Sequence, residues 1–189
     1  MRTKRNTGPS GRVIALDFLP EMLARTAKAV SEAGLANVDL LEGEMEDIPL
    51  PDGTVDLIVS NGVVNPSPRR PRVMAECARV VRPGGRLCVS DLTVGQDDLP
   101  PEILTQPAAW AAAWAGCVAG ALSEPAFVRK LERAGFRDVE VVHREALSID
   151  DCALYPLFTP AVIRLMRELL PPARQRAVAV SIVVKANRP

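Results

Sequence analysis

Short runs of aliphatic and β-branched residues alternate along the chain with stretches in which apolar residues recur at helical spacing. In the first such stretch, Met22, Leu23, Ala27 and Val30 fall on one helix face. Runs bounded by glycine, proline or polar residues predict strands at 13–17, 38–41, 55–60, 86–92, 139–144 and 178–185. The patterns between them predict helices at 20–33, 72–81, 108–122, 124–134 and 159–170.

This alternation of strands and helices predicts an α/β fold. Strand–helix–strand units of this length are typical of a parallel sheet with helices on both of its faces. The last two strands are expected to form an antiparallel edge, which such sheets often carry. We expect a single domain, 1–189, with a helical insertion at 148–172 before the last strand.

Composition and charge narrow the class of protein. Of the 189 residues, 48% are apolar and 24% are charged, which indicates a globular chain and excludes a disordered or fibrous one. Lysine and arginine together number 23, as do aspartate and glutamate, so the chain has no overall basic signature of nucleic-acid or anionic-membrane binding. Residues 1–10 lack the apolar stretch of a secretory signal, so we expect a cytoplasmic protein without membrane association.

Side chains that follow three successive predicted strands form a candidate site. Asp17 ends the first strand, Glu44 and Met45 follow the second, and Asn61 follows the third. Because ligands of open α/β sheets bind at the carboxyl ends of the strands, these positions together favour a nucleotide-like ligand. A carboxylate at Asp17 can accept hydrogen bonds from ribose hydroxyls, and Glu44 with Met45 offers an acceptor and an apolar surface to an adenine. The alternatives are a helix N-cap for Asp17, a solvated acidic loop for Glu44 and a simple turn at Asn61.

The cysteines are widely spaced and form no CxxC pair, so neither a zinc site nor a dense disulfide framework is indicated. They are Cys77, Cys88, Cys117 and Cys152. We therefore expect no metal site. Three of them, Cys77, Cys88 and Cys152, are interpreted as small core residues.

The single histidine and the two tryptophans are also ambiguous. His143 lies on a late predicted strand, where a structural or solvent-facing role is more common than general-base catalysis. Trp110 and Trp114 are four residues apart and share one helix face. Packing onto the sheet is the favoured interpretation, and the wall of a substrate pocket is the alternative.

Four segments resemble the class I S-adenosylmethionine (SAM) dependent methyltransferases, whose fold is Rossmann-like. They are GRVIALDFLPEML, LEGEMEDIPLPDGTVDLIVSN, RVVRPGGRLCVSDL and LERAGFRDVEV. Two further segments, WAGCVAGAL and the run SNGVVN, resemble the bacterial arsenite methyltransferases in particular. The resemblance covers nearly the whole chain.

The resemblance implies SAM as the cofactor and assigns residues to it. By this resemblance Asp17 binds the ribose, and Phe18 packs beside the adenine. Glu44 and Met45 contact the adenine, and Asn61 lies beside the bound cofactor.

The chain departs from the family at its start. Family members begin with a strand, a glycine-rich SAM loop and a helix that have no counterpart here, and no GxGxxG-type loop occurs anywhere in the sequence. In the family, that strand lies between the strands that match 13–17 and 55–60. Without it, a gap of about 10 Å would separate the two, which is too wide for backbone hydrogen bonds. We therefore expect an N-terminally truncated domain with exposed strand edges, which a complementing N-terminal segment or a second copy would cover.

The thiols bear on the methyl acceptor. Trivalent arsenic is a soft centre that binds thiolates, ideally three at once. Gly62 stands where the family pattern has a cysteine, whereas Cys117 matches a family thiol. The resemblance thus implies Cys117 as the catalytic thiol and a thiol-bound or small-molecule methyl acceptor.

Three functions remain open on the sequence alone. The first is a SAM-dependent methyltransferase of the arsenite-methylating type. The second is a catalytically incompetent fragment or interaction subunit whose sheet another polypeptide completes. The third is a nicotinamide-dependent oxidoreductase, because an acidic residue after the second strand also suits the ribose of NAD; the RVVRPGGRLCVSD segment disfavours it.

Overall fold

The structure is a computed structural model that describes residues 7–8, 10–94, 121–154 and 158–189. Its strands are β1 (Val13–Asp17), β2 (Val38–Glu42), β3 (Val55–Asn61), β4 (Val81–Thr93), β5 (Arg137–Leu147) and β6 (Ala179–Asn187). Its helices are α1 (Pro20–Glu32), α2 (Arg70–Val80), α3 (Glu124–Arg133), α4 (Ile149–Cys152), α5 (Pro160–Leu169) and α6 (Pro172–Gln175). The predicted α/β class is confirmed. The helix predicted at 108–122 lies, as far as residue 120, outside the described residues.

The chain forms two compact units, Met1–Pro51 and Asp52–Pro189. In the first unit, β1 and β2 pair in parallel and α1 connects them. Val13 lies opposite Val38, and Asp17 lies opposite Glu42. Because the strands are parallel and in this register, their carboxyl ends and the loops that follow them emerge side by side.

The second unit contains a four-stranded sheet in the order β3-β4-β6-β5. Strand β3 is parallel to β4, whereas β6 runs antiparallel to both β4 and β5. The predicted antiparallel end of the sheet is therefore confirmed, with β6 inside and β5 at the edge. Ile182 and Val184 on β6 are fully buried, as expected for an inner strand with both neighbours paired.

The two sheets are separate in the part of the chain that the structure describes. Strand β1 pairs with β2, β3 pairs with β4, and no ladder joins β1 to β3 among these residues. The single domain 1–189 stays a prediction.

The start of β4 differs from the sequence prediction. The sequence predicts that the strand begins at residue 86, but Val81 already pairs with Val55. The next pair is Leu57 with Arg86, so the four residues between form a bulge within the strand. Gly84 has φ 77°, and a side chain on Gly85 would lie 2.6 Å from a methyl group of Val81, so this bulge requires glycine.

The predicted helical insertion before the last strand is present as α4, α5 and α6. Apolar side chains of these helices and of the start of β6 form one buried cluster: Ile149, Cys152, Phe158, Val162, Ile163, Met166, Leu170, Val178 and Ala179. Ser148 and Asp151 form a capping box at the start of α4, and the hydrogen bond from the Ser148 hydroxyl lowers the pKa of the Asp151 carboxyl. No helix in the described ranges is long and apolar enough to cross a membrane.

Arg79 on α2 pairs with Glu76 of the same helix and with Asp52 in the loop before β3. The side chain of Glu76 is 3% exposed, and the Arg79 guanidinium donates two hydrogen bonds to it, at 3.0 and 2.7 Å. The same guanidinium contacts Asp52, whose carboxylate is 81% exposed, at 2.9 Å. One arginine thus holds a buried and an exposed carboxylate, which allows the two contacts to be compared directly.

We predict that Glu76→Ala lowers the free energy of unfolding by about 3 kcal/mol, because it removes two charge-assisted hydrogen bonds from a buried carboxylate. Asp52→Ala is the matched control and should cost less than about 1 kcal/mol, as exposed pairs do. Urea denaturation followed by circular dichroism measures both. Equal losses for the two variants would contradict the larger contribution that we assign to the buried carboxylate.

Candidate functional site

Four of the predicted site residues lie together at the carboxyl end of the β1–β2 pair. Asp17 is the last residue of β1, and the amide of Gly43 donates to its carbonyl oxygen at 3.1 Å. This bond extends the ladder by one residue, so Phe18 on one strand end and Glu44 with Met45 on the other leave the sheet as neighbours. The structure thereby brings these residues to one edge of the first unit.

One of the two oxygens of the Asp17 carboxylate is hydrogen-bonded to the backbone. Oδ1 accepts a hydrogen bond from the amide of Leu19 at 3.0 Å. Leu19 is itself the N-cap residue of α1, which has no side-chain cap. Asp17 therefore steadies the approach to the helix without being its N-cap. Its half-buried carboxylate is oriented by the chain and still has Oδ2 to offer to a hydroxyl group.

Apolar and acidic side chains flank this carboxylate. Phe18 is 56% exposed although it is a large aromatic residue, and Met45 is half-buried. Glu44 is exposed and accepts a backbone hydrogen bond from Asp47, which closes the loop after β2. Gly43 lies so close to Pro49 that a side chain there would approach it to 2.7 Å. The chain at this edge is thus compact, and it presents a carboxylate beside an uncovered aromatic ring.

Asn61 belongs to the second unit and ends β3, where it lies opposite Ser90 of β4. Its side chain is exposed at the carboxyl end of that sheet. The next residue, Gly62, donates its amide to the Ser90 carbonyl at 2.8 Å and has φ 69°. Asn61 is therefore still part of the strand, and the chain bends at Gly62, directly after it.

The sequence reading missed two buried polar residues of this edge, Asn65 and Asp91. They are 3% and 2% exposed, and Asn65 donates to Asp91 Oδ1 at 2.8 Å. The signal that could have found them is the carboxylate of Asp91 inside the predicted buried strand 86–92. A charge in such a strand needs hydrogen-bond partners, and these must come from the adjacent loop.

The described cysteines have the character of core residues. Desolvation raises the pKa of the Cys77 thiol to about 12 and that of the Cys152 thiol to about 11, so both stay protonated at neutral pH. Cys88 lies within β4. Cys117, the predicted catalytic thiol, lies outside the described residues, as do Trp110 and Trp114.

Two other features of the described ranges lie away from the strand ends. The His143 ring on β5 is 60% exposed, and its nearest recorded partner is Glu145 at 3.9 Å. An open concavity of about 540 Å³ is lined by Asp52, Gly53 and Pro83, which precede β3 or lie in the β4 bulge. It therefore lies toward the amino end of β3, opposite Asn61. Among the described residues, no group of three His, Cys, Asp or Glu side chains could hold a metal ion.

Comparison with known proteins agrees with the predicted fold. Residues 2–89 match the family described as a methyltransferase domain. A solved protein from Bacillus subtilis, YcgJ, superposes with a TM-score of 0.72 over 94% of this chain and 83% of its own, at 18% identity. The crystal structure of CrArsM, an arsenic(III) SAM methyltransferase from Chlamydomonas reinhardtii, superposes with a TM-score of 0.69. The superposition covers 96% of this chain and 56% of CrArsM, at 27% identity.

The chain is thus similar to methyltransferases in fold and in sequence. It is also similar to curated arsenite methyltransferases. The sequence from Halobacterium salinarum is 35% identical over 141 residues, and that from Aquipseudomonas alcaligenes is 36% identical over 159 residues. The matches cover 75% and 78% of this chain but 35% and 43% of those relatives, so the chain spans less than half of their length.

Proposed function

We propose that this chain binds SAM and acts as a SAM-dependent methyltransferase of the arsenite-methylating type. The observation that carries the proposal is the register of β1 and β2, which sets an oriented carboxylate at Asp17 beside the exposed ring of Phe18 and the loop that holds Glu44 and Met45. These groups fit the adenosine half of SAM. Asp17 Oδ2 can accept from a ribose hydroxyl, and the aromatic and thioether side chains can pack on an adenine.

The cofactor supplies a methyl group on a positively charged sulfur, which a nucleophile can take without a general base. The part of this chain is to hold and orient the reacting groups. Cys117 is the thiol that we assign to the acceptor, on the strength of its match to the arsenite-methyltransferase segment WAGC. The raised pKa values of Cys77 and Cys152 support leaving these two thiols out of the reaction.

We predict that Asp17→Asn weakens SAM binding by about 30-fold, because a neutral amide is a poorer acceptor for ribose hydroxyls than a carboxylate. The variant keeps an oxygen for the Leu19 amide, so α1 should keep its start. Asp39→Asn is the matched control, since Asp39 lies on β2 beside its amino end and pairs with Arg12. Isothermal calorimetry with SAM measures the three proteins. Equal weakening by both substitutions would contradict the ribose role of Asp17.

A second candidate function is an interaction subunit whose sheet another polypeptide completes. The observation that favours it is the contrast between the two edges of the four-stranded sheet. Edge strand β3 exposes Leu57 and Val59, at 47% and 59%, whereas edge strand β5 carries charged residues along its length and two register irregularities. Charges and bulges protect an edge from pairing, so β5 has the features of a free edge and β3 does not.

We predict that Val59→Lys abolishes any self-association of the chain, because a lysine on β3 blocks strand addition there. Val142→Lys, at a 39% exposed position of β5, is the matched control and should leave the mass unchanged. Size-exclusion chromatography with light scattering measures the masses. A wild-type chain that is monomeric and binds SAM tightly would rule out the subunit and leave the enzyme.

Gly62 offers a test of the acceptor. Its φ of 69° is costly for other residues, yet no atom lies within 4 Å of the position that a side chain would take. We predict that Gly62→Cys tightens binding of arsenite about tenfold by adding a second thiolate, at a stability cost of about 1–2 kcal/mol for the left-handed backbone. Gly62→Ser carries the same backbone cost without the thiol. Arsenite titration followed by tryptophan fluorescence compares them, and equal affinities of the two variants would exclude arsenic binding at this loop.

A further inference from the structure

A buried carboxylate at the carboxyl end of β4 is held by hydrogen bonds from a neighbouring loop. Asp91 Oδ2 accepts from two successive backbone amides, those of Val64 at 3.0 Å and Asn65 at 3.2 Å. Oδ1 accepts from Asn65 Nδ2 and from the amide of Leu92, both at 2.8 Å. The charge is thus balanced chiefly by amide dipoles that converge on it, as around an anion bound in a backbone nest.

Both the nitrogen and the oxygen of the Asn65 side-chain amide are hydrogen-bonded. Besides its bond to Asp91, Nδ2 donates to the carbonyl of Leu92 at 2.5 Å, and Oδ1 accepts from the amide of Leu122 at 3.3 Å. A further bond joins the amide of Val94 to the carbonyl of Leu122 at 3.3 Å. Asn65 therefore connects the loop after β3, the end of β4 and the chain at Leu122.

The start of α2 is attached to the same point. Arg70, the first residue of α2, donates from Nε to the carbonyl of Asn65 at 2.9 Å. Burial lowers the pKa of this guanidinium, and the negative charge of Asp91 opposes that effect. The loop from Asn61 to Asn65 is consequently fixed at both ends: by the Gly62–Ser90 bond at β3 and by the Asp91–Asn65 pair.

We propose that the Asp91–Asn65 pair is a positioning unit that holds loop 61–65 and the chain at Leu122 in a ligand-ready arrangement at the carboxyl end of the sheet. An apolar pair of the same volume would give similar or greater stability without the desolvation cost of a buried carboxylate. What the polar pair adds is direction, since each of its hydrogen bonds requires a donor and an acceptor in a fixed orientation. This assignment rests on the proposed function. The loop follows Asn61, the residue predicted to lie beside the cofactor, and contains Gly62, where the family pattern has a cysteine, so we place the loop on the acceptor side of the site.

Two single substitutions and their combination test the proposal. In Asp91→Asn, the new side-chain NH2 group faces groups that themselves donate hydrogen bonds to Asp91. In Asn65→Asp, two carboxylates face each other. The double variant restores a donor–acceptor pair between the two side chains, although the backbone groups of Leu92 lose part of their bonding. Asp56→Asn is the matched control, since Asp56 is an exposed carboxylate on β3 whose recorded partner is Arg82.

The first readout is amide hydrogen exchange by mass spectrometry, which needs no activity. We expect each single variant to speed exchange at 61–69 about 100-fold, corresponding to the loss of two charge-assisted hydrogen bonds, with recovery of part of it in the double variant. Exchange in β6 around Ile182 should stay as in the wild type. A loop that exchanges at the wild-type rate, or a loss spread equally to β6, would overturn the proposal.

The second readout separates positioning from general structure. The KM for the methyl acceptor should rise about tenfold in the single variants, while SAM affinity by calorimetry changes less than about twofold and Asp56→Asn changes neither. A fall in SAM affinity as large as the rise in the acceptor KM would overturn the acceptor-side assignment. A wild-type chain without SAM binding or methyl transfer would refute the proposed function alone, because the exchange measurement still decides whether the pair holds the loop.

Discussion

The parallel register of β1 and β2 is the constraint on which the candidate site depends. With Asp17 opposite Glu42, the two strands end at the same level, and the Gly43 amide bonds to the Asp17 carbonyl. A slip by one residue would turn every side chain of one strand to the other face and separate the carboxylate from the loop that follows β2. The site chemistry is thus a consequence of backbone pairing, and the side chains only complete it.

Most of the strands and helices could be predicted from the sequence, because the periodicity of apolar residues is a local signal. The bounds of β1 are those predicted, and α1 ends one residue before its predicted end. The bulge at Pro83–Gly85 could not be predicted, because a Pro-Gly-Gly sequence indicates a turn but not whether the residues before it already belong to a strand. In the structure they do, because Val81 pairs with Val55, which is distant in sequence.

The Asp91–Asn65 pair shows why part of the site stayed hidden. Asp91 is a charged residue in an apolar run, and Asn65 is a polar residue in a loop rich in proline and serine. Each alone has an ordinary explanation at the surface. Only the fold, which places the loop after β3 over the end of β4, makes them partners that are almost fully buried. Spacing in sequence carries no information about such a pair, because 26 residues separate its members.

Gly62 links the geometry of this loop to the choice of acceptor. Its amide bonds to Ser90 in a left-handed conformation, which glycine adopts without the cost that a cysteine would bear. A cysteine at that position would strain the backbone, and only a functional gain would offset this cost. With glycine there, the turn is relaxed, and the chain has one thiol fewer to bind a soft centre such as arsenic. If arsenic is nevertheless the acceptor, its remaining ligands must come from outside this loop. Glycine in the turn after β3 thus makes the choice of acceptor depend on Cys117 and on thiols outside this loop.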